Sequence, residues 1–169
     1  MTAQANTVKG GFINPDLLYN ALSYIGNTEE VGPKSNEVIL NAIHTLFPGW
    51  RDDSTIAWCS CFTHLIAINV CGENPLQTGH KAPGTARSWL TVGDPVETPL
   101  PGDIVVYWRG SKNSWQGHVG FYCNRIGDKI FTLGGNQANS ITVSAYSANR
   151  LLGFRRLRPA PEFEPNIIP

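Results

Sequence analysis

The spacing of apolar residues changes partway along the chain, and that change limits the fold more than any other feature. Up to about residue 92 they recur every three or four positions, the helical period. From residue 101 they fall into short β-branched and aromatic blocks separated by turn residues, the mark of strands. In the first part, Asn14-Pro15 reads as a helix start, with Asn as cap and Pro in the first turn. Leu17, Leu18, Ala21, Leu22 and Ile25 form its stripe, and Gly26 ends it. A second helix is expected from Ser35, with Val38, Ile39, Ala42, Ile43 and Leu46 as its stripe and Pro48-Gly49 as its stop. A third, over 58–70, carries Phe62, Leu65, Ile66 and Val70 on one face, with Gly72 as C-terminal cap. Asp52, Asp53, Ser54 and Thr55 favour a turn or N-cap just ahead of it, and a short helical piece is expected over 85–90.

In the second part, Pro101-Gly102-Asp103 is a turn, with Asp103 bonding the turn backbone. Strands are expected over 104–108, 118–124, 129–133, 141–145 and 152–157, with a hairpin turn at Gly127-Asp128. The short connections favour antiparallel pairing, so helices followed by about five strands predict an α+β domain. At 169 residues one domain is expected, over 1–158, with a helical part 12–92 and a sheet part 101–158. Residues 159–169 read as a loose Pro-rich tail.

Charge narrows the function classes. Thirteen basic residues balance thirteen acidic ones, which argues against nucleic acid as the main partner. The one basic cluster, Arg150, Arg155, Arg156 and Arg158, reads as a solvated strand or terminus. The start of the chain lacks the apolar core of a secretory signal, and the longest apolar stretch, 65–70, is far below the roughly 20 residues of a membrane span. The expectation is a monomer without membrane insertion, made in the cytoplasm of its producing cell. Four cysteines without a secretory signal do not suggest a disulfide framework.

The chemistry is expected at Cys59 and His118. Cys59 falls in or near the first turn of the third helix, and a helix start and a nearby imidazole both favour thiolate. His118 opens a strand in Gly117-His118-Val119-Gly120-Phe121. A thiol on a helix start followed by an imidazole on a later strand is the order of papain-like hydrolases. The strand after that of His118 ends in Gly134-Gly135-Asn136-Gln137, which makes Asn136 the expected orienter of the ring and Gln137 the second choice. Cys61, Cys71 and Cys123 are expected in packing roles. Cys59, Cys61 and His64 would scatter around a helix axis, so no metal site is expected. Trp115, Trp108 and Trp89, with Gln137, are candidate substrate contacts, Trp115 first because its polar loop directly precedes His118.

Five segments together resemble the cysteine/histidine-dependent amidohydrolase/peptidase family, nearest its single-domain phage-endolysin-like branch and related to NlpC-type peptidases. They are Trp58-Cys59-Ser60-Cys61-Phe62, Ala86-Arg87-Ser88-Trp89-Leu90, Pro101-Gly102-Asp103-Ile104-Val105, Gly117-His118-Val119-Gly120-Phe121 and Leu133-Gly134-Gly135-Asn136-Gln137. The resemblance runs from about Trp58 to Arg156. It implies a papain-like fold and cleavage of an amide in bacterial peptidoglycan without metal or other cofactor, with Cys59 as nucleophile and His118 as base. Many members carry a Glu two residues before the Asn; here that position is Gly134, so Asn136 would orient the ring alone. The oxyanion donors expected are the Cys59 N–H and a group from 52–57. The target amide is either the N-acetylmuramoyl-L-alanine bond or one inside the stem peptide. Release of a phage-type enzyme would need a pore made by a separate holin-type protein. A secreted antibacterial effector, or a domain that binds peptidoglycan without cutting it, are the rival readings.

Overall fold

A computed structural model describes residues 13–30, 34–71 and 84–158. Three α-helices precede the sheet among these residues: α1 (Asn14–Leu22), α2 (Glu37–His44) and α3 (Cys59–Cys71). The sheet has six strands, β1 (Asp94–Val96), β2 (Ile104–Trp108), β3 (Gly117–Ile126), β4 (Lys129–Gln137), β5 (Ser140–Ser147) and β6 (Leu151–Arg156). Their spatial order is β1-β6-β2-β3-β4-β5 and every neighbouring pair is antiparallel. The molecule is therefore the α+β fold that the sequence predicts.

Several boundaries differ from expectation for local reasons. Asn14 is the first helical residue and not a cap; Ile13 holds the cap position without a side-chain bond. The Asn14 amide instead donates to the Asp103 carboxylate, 89 positions away, tying α1 to the start of β2. α2 begins after Asn36, whose side chain accepts from the N–H groups of Val38 and Ile39, so the cap lies one residue past Ser35. Asp52 caps a separate 3₁₀ turn, Asp53–Thr55, and not α3. The buried Asp53 carboxylate accepts from the Asn36 N–H at 2.8 Å, which holds that turn against the start of α2. The sixth strand, β1, is short and contains Pro95; it pairs with β6 at the sheet edge, where a missing N–H costs little. Gly72, expected to cap α3, lies outside the described residues, as does the Pro-rich tail.

α3 is the central element. Residues 59–64 are all buried, so its first turns are covered on every side and not on one face only. It packs between α1 and α2 on one side and β3 and β4 on the other. Leu17, Ala21, Ile39, Ile43, Phe62, Ile66, Val106, Val119, Phe121 and Leu133 fill this core. The opposite face of the sheet carries a smaller cluster around Val105, Tyr107, Ile130 and Phe154. β4 approaches α3 closely because Gly135 has no side chain: a Cβ there would lie 2.4 Å from the Trp58 ring and 2.7 Å from Phe62 Cβ. The tight contact fixes the start of α3, and so Cys59, against the end of β4.

Candidate active site

Cys59 is the first residue of α3. The first intrahelical bond runs from Phe62 N–H to the Trp58 carbonyl, so the N–H groups before it have no partner within the helix. The N–H groups of Cys59 and Ser60 hydrogen-bond toward the Cys59 sulfur, and so does that of Val119 on β3. The last contact is possible because the β3–β4 ladder ends at Phe121↔Leu133. Beyond it, Val119 is free to serve the thiol.

His118 sits beside Val119, buried, on the other face of β3. Its ring stacks on Tyr146 with centroids 4.9 Å apart, and Tyr146 stacks in turn on Tyr107 at 4.6 Å. The Tyr107 hydroxyl is itself fixed by Thr132 Oγ1 at 2.7 Å. The ring nitrogen Nε2 lies 3.0 Å from Gln137 Oε1. The Gln137 amide has one orientation, because its NH₂ group donates to the carbonyls of Thr132 (3.2 Å) and Thr142. Its oxygen therefore faces the ring as an acceptor, and Nε2 must carry the proton. That leaves Nδ1 with a free lone pair, the nitrogen a base would use.

This corrects the expected orienter: the partner of His118 is Gln137, and Asn136 is turned away. The Asn136 amide donates to the Ile56 carbonyl at 3.5 Å, on the helix side. A bulge between Gly134 and Gln137 is the cause, with Asn136 at φ +55°. One extra residue inverts the in–out alternation, so the side chain after Asn136 reaches the ring. Gly134 makes room, since a Cβ there would stand 3.3 Å from His118 Nε2 and 3.2 Å from Gln137 Oε1.

The electrostatics differ from the low-pKa thiol expected at a helix start. Burial pushes the Cys59 thiol above its ordinary range; the three N–H groups and the charge of Arg109 pull it down without prevailing. Burial also holds His118 down at about 4, against the Gln137 bond that favours its charged form, and Arg109 and Arg150 add to the depression. At neutral pH both the Cys59 thiol and the His118 imidazole are therefore neutral.

A cavity of about 120 Å³ opens beside Cys59, bordered by Ala57, Thr85, Ala86, Arg109, Trp115 and Gln116. Of the expected substrate contacts, Trp115 lines it and is 75% exposed. Trp89 does not: it is fully buried, donates to Ser60 Oγ at 2.9 Å and meets His64 edge-on, so it is a core residue. Trp108 is also spent elsewhere, donating to the Asn149 carbonyl at 3.1 Å under the Arg150 guanidinium. Gln137 is buried against His118 and away from the cavity wall. Sequence reasoning missed Arg109 and Tyr146. Arg109 directly follows a strand and precedes Gly110, a position where a loop residue faces the site, but no spacing rule singles it out.

All four cysteines are free thiols. Among the described residues no three His, Cys, Asp or Glu side chains converge as a metal site, and no helix is long and apolar enough to cross a membrane.

No family model matches the chain, and no curated protein matches it in sequence. Solved structures resemble it in shape. One is a lipoprotein-like protein of the NLP/P60 family from Staphylococcus aureus subsp. aureus Mu50, at 14% identity and a TM-score of 0.44, covering 84% of this chain and 40% of its own. Another is NlpC1 from Trichomonas vaginalis, at 14% identity and a TM-score of 0.45, covering 92% of this chain and 48% of its own. The chain thus spans less than half the length of either protein, and at this distance neither assigns it an activity.

Proposed function

We propose that the chain is a papain-like cysteine amidase or endopeptidase acting on bacterial peptidoglycan, with Cys59 as nucleophile, His118 as base and Gln137 as the residue that holds the ring. The observation that carries this reading is the locked Gln137 amide, which commits Nε2 of His118 to its proton and leaves Nδ1 as the acceptor nitrogen. In this mechanism the Cys59 thiol attacks the amide carbonyl as Nδ1 takes its proton, so the thiolate exists only in the transition state. Attack from a neutral pair suits a buried site, where a standing charge pair would be costly. The N–H groups of Cys59 and Ser60 at the start of α3, which bond toward the thiol, are the donors for the oxyanion. Gln137 Oε1 stabilises the imidazolium, Nδ1–H protonates the leaving amine, and water hydrolyses the thioester with His118 again as base. The substrate assignment rests on the five sequence segments named above. On this reading the protein is an endolysin-type monomer made in the producing cell's cytoplasm and passed to the wall through a holin-type pore.

Digestion of purified Gram-negative sacculi, with products identified by mass spectrometry and Cys59→Ala as control, tests the substrate. Free stem peptides with bare glycan identify an amidase, and shortened stems an endopeptidase. A folded wild-type protein that releases neither refutes wall cleavage.

A further inference from the structure

The loop between β2 and β3 has a fixed shape although it is exposed. Arg109 N–H bonds the Gln116 carbonyl across its mouth at 3.3 Å. The Ser114 hydroxyl bridges the carbonyls of Arg109 and Ser111 at 2.7 and 3.0 Å. From the turn Ala86–Thr91, Arg87 donates to the carbonyls of Gln116, Lys112 and Ser111 at 2.9, 3.0 and 3.4 Å. Arg150, the other guanidinium near His118, donates twice to the Trp108 carbonyl. Both neighbouring arginines are thus spent on backbone.

Arg109 is not. Its guanidinium makes no hydrogen bond or ion pair among the described residues, and the three ion pairs formed there all lie elsewhere. It borders the same cavity as Cys59, with exposed Trp115 on the same pinned loop. Its charge is felt at Cys59, His118 and Tyr146. A cation held there works against protonation of His118, so its presence is unhelpful to the imidazolium the reaction forms. It is explained if an anion neutralises it when substrate binds. A planar fork of N–H donors suits a carboxylate, which it can grip through two parallel bonds.

We propose that Arg109 and Trp115 form a subsite for a carboxylate of the substrate, so that the preferred amide belongs to an acidic peptide with its free carboxylate near the scissile bond. This rests on the hydrolase reading above for the chemistry, but not for the binding. Stem peptides of Gram-negative walls offer such groups. Peptides with every carboxylate amidated lack the partner and leave Arg109 unpaired beside the site.

The test uses the folded Cys59→Ala protein and two peptides, L-Ala–γ-D-Glu–meso-diaminopimelate–D-Ala and the same peptide with all carboxylates converted to carboxamides. Calorimetry is expected to give a dissociation constant at least about tenfold lower for the free acid, equivalent to one charge-assisted pair. Adding Arg109→Gln should bring that ratio to about one, whereas Arg109→Lys should retain part of it. Arg51→Gln, a charge change at an exposed residue outside the cavity, should leave the ratio intact. A ratio near one in the parent, persistence of the ratio in Arg109→Gln, or no binding of the free acid overturns the subsite. Turnover by the wild type is read separately. An intact Arg109-dependent ratio without turnover refutes the hydrolase reading and leaves the subsite standing; turnover with a ratio near one does the reverse.

Discussion

Replacing Gln137 by Met tests the orienting role with little change in side-chain length. Three interactions are lost: Oε1 to the His118 ring, and the NH₂ donations to the carbonyls of Thr132 and Thr142. Two of them leave a buried polar group short of a partner, at about 1–3 kcal/mol apiece, and the third is part-buried and costs less, so a stability loss of roughly 2–4 kcal/mol is expected. Catalysis suffers separately. Met cannot accept from Nε2–H as the amide oxygen does, so the imidazolium loses a charged hydrogen bond of about 1.5–3 kcal/mol, equivalent to a roughly 10- to 150-fold fall in kcat/KM. Asn136→Ala is the matched comparison. It removes only the 3.5 Å contact with the Ile56 carbonyl and should keep kcat/KM within about threefold of wild type. The assay is initial-rate release of dye from labelled sacculi, run well below the melting temperature of each variant. If Gln137→Met keeps wild-type kcat/KM, or Asn136→Ala falls as far as Gln137→Met, the assignment of the ring's partner is wrong.

Protonation gives a second prediction. In the unfolded chain an imidazole takes its proton near 6.5, whereas His118 and buried His64 are held at about 4. Between those values the unfolded state binds more protons, so stability rises with pH through the window, is complete above 6.5 and is lost as pH falls toward 4. For His118 alone the difference approaches about 3 kcal/mol, which urea titrations across that range would reveal; a flat profile would contradict the burial. Asp103 accepts from both arms of Arg156, at 2.9 and 2.7 Å, and from Leu100 N–H at 2.7 Å, so Asp103→Ala should cost about 3–5 kcal/mol in chemical denaturation. Ala138 at φ +50° and Asn139 at φ +61° form the two-residue turn from β4 to β5. Ala138→Gly should therefore stabilise the protein by about 0.5–1 kcal/mol, read as a higher urea midpoint at unchanged slope.

What the sequence revealed follows from how local each signal is. The start of α3 at Cys59, the β2 block Ile104–Trp108 and the turn at Gly127 all depend on neighbouring residues, and all are legible. β1 escaped because three residues including Pro95 carry no strand pattern; the pairing comes from β6. The choice between Asn136 and Gln137 depends on a bulge that inverts alternation within one residue, although the glycine pair and an Asn able to hold a positive φ were its visible signs. The thiol is a similar case. A helix start pulls a cysteine pKa down, but the depth at which that start is buried is a tertiary fact, and here burial is the larger effect. Trp89 and Trp108 illustrate the same limit, since a tryptophan in a core and one in a groove have the same sequence signature.

The most direct test of the central claim is to look for the acyl-enzyme. Wild-type protein mixed with peptidoglycan fragments, quenched in acid during turnover and measured by intact mass spectrometry, should carry the acyl part of the substrate. Peptide mapping should put the added mass on Cys59, hydroxylamine should remove it, and Cys59→Ala should show none. Turnover with no adduct at Cys59, or turnover that survives Cys59→Ala, would contradict a thiol mechanism at this site.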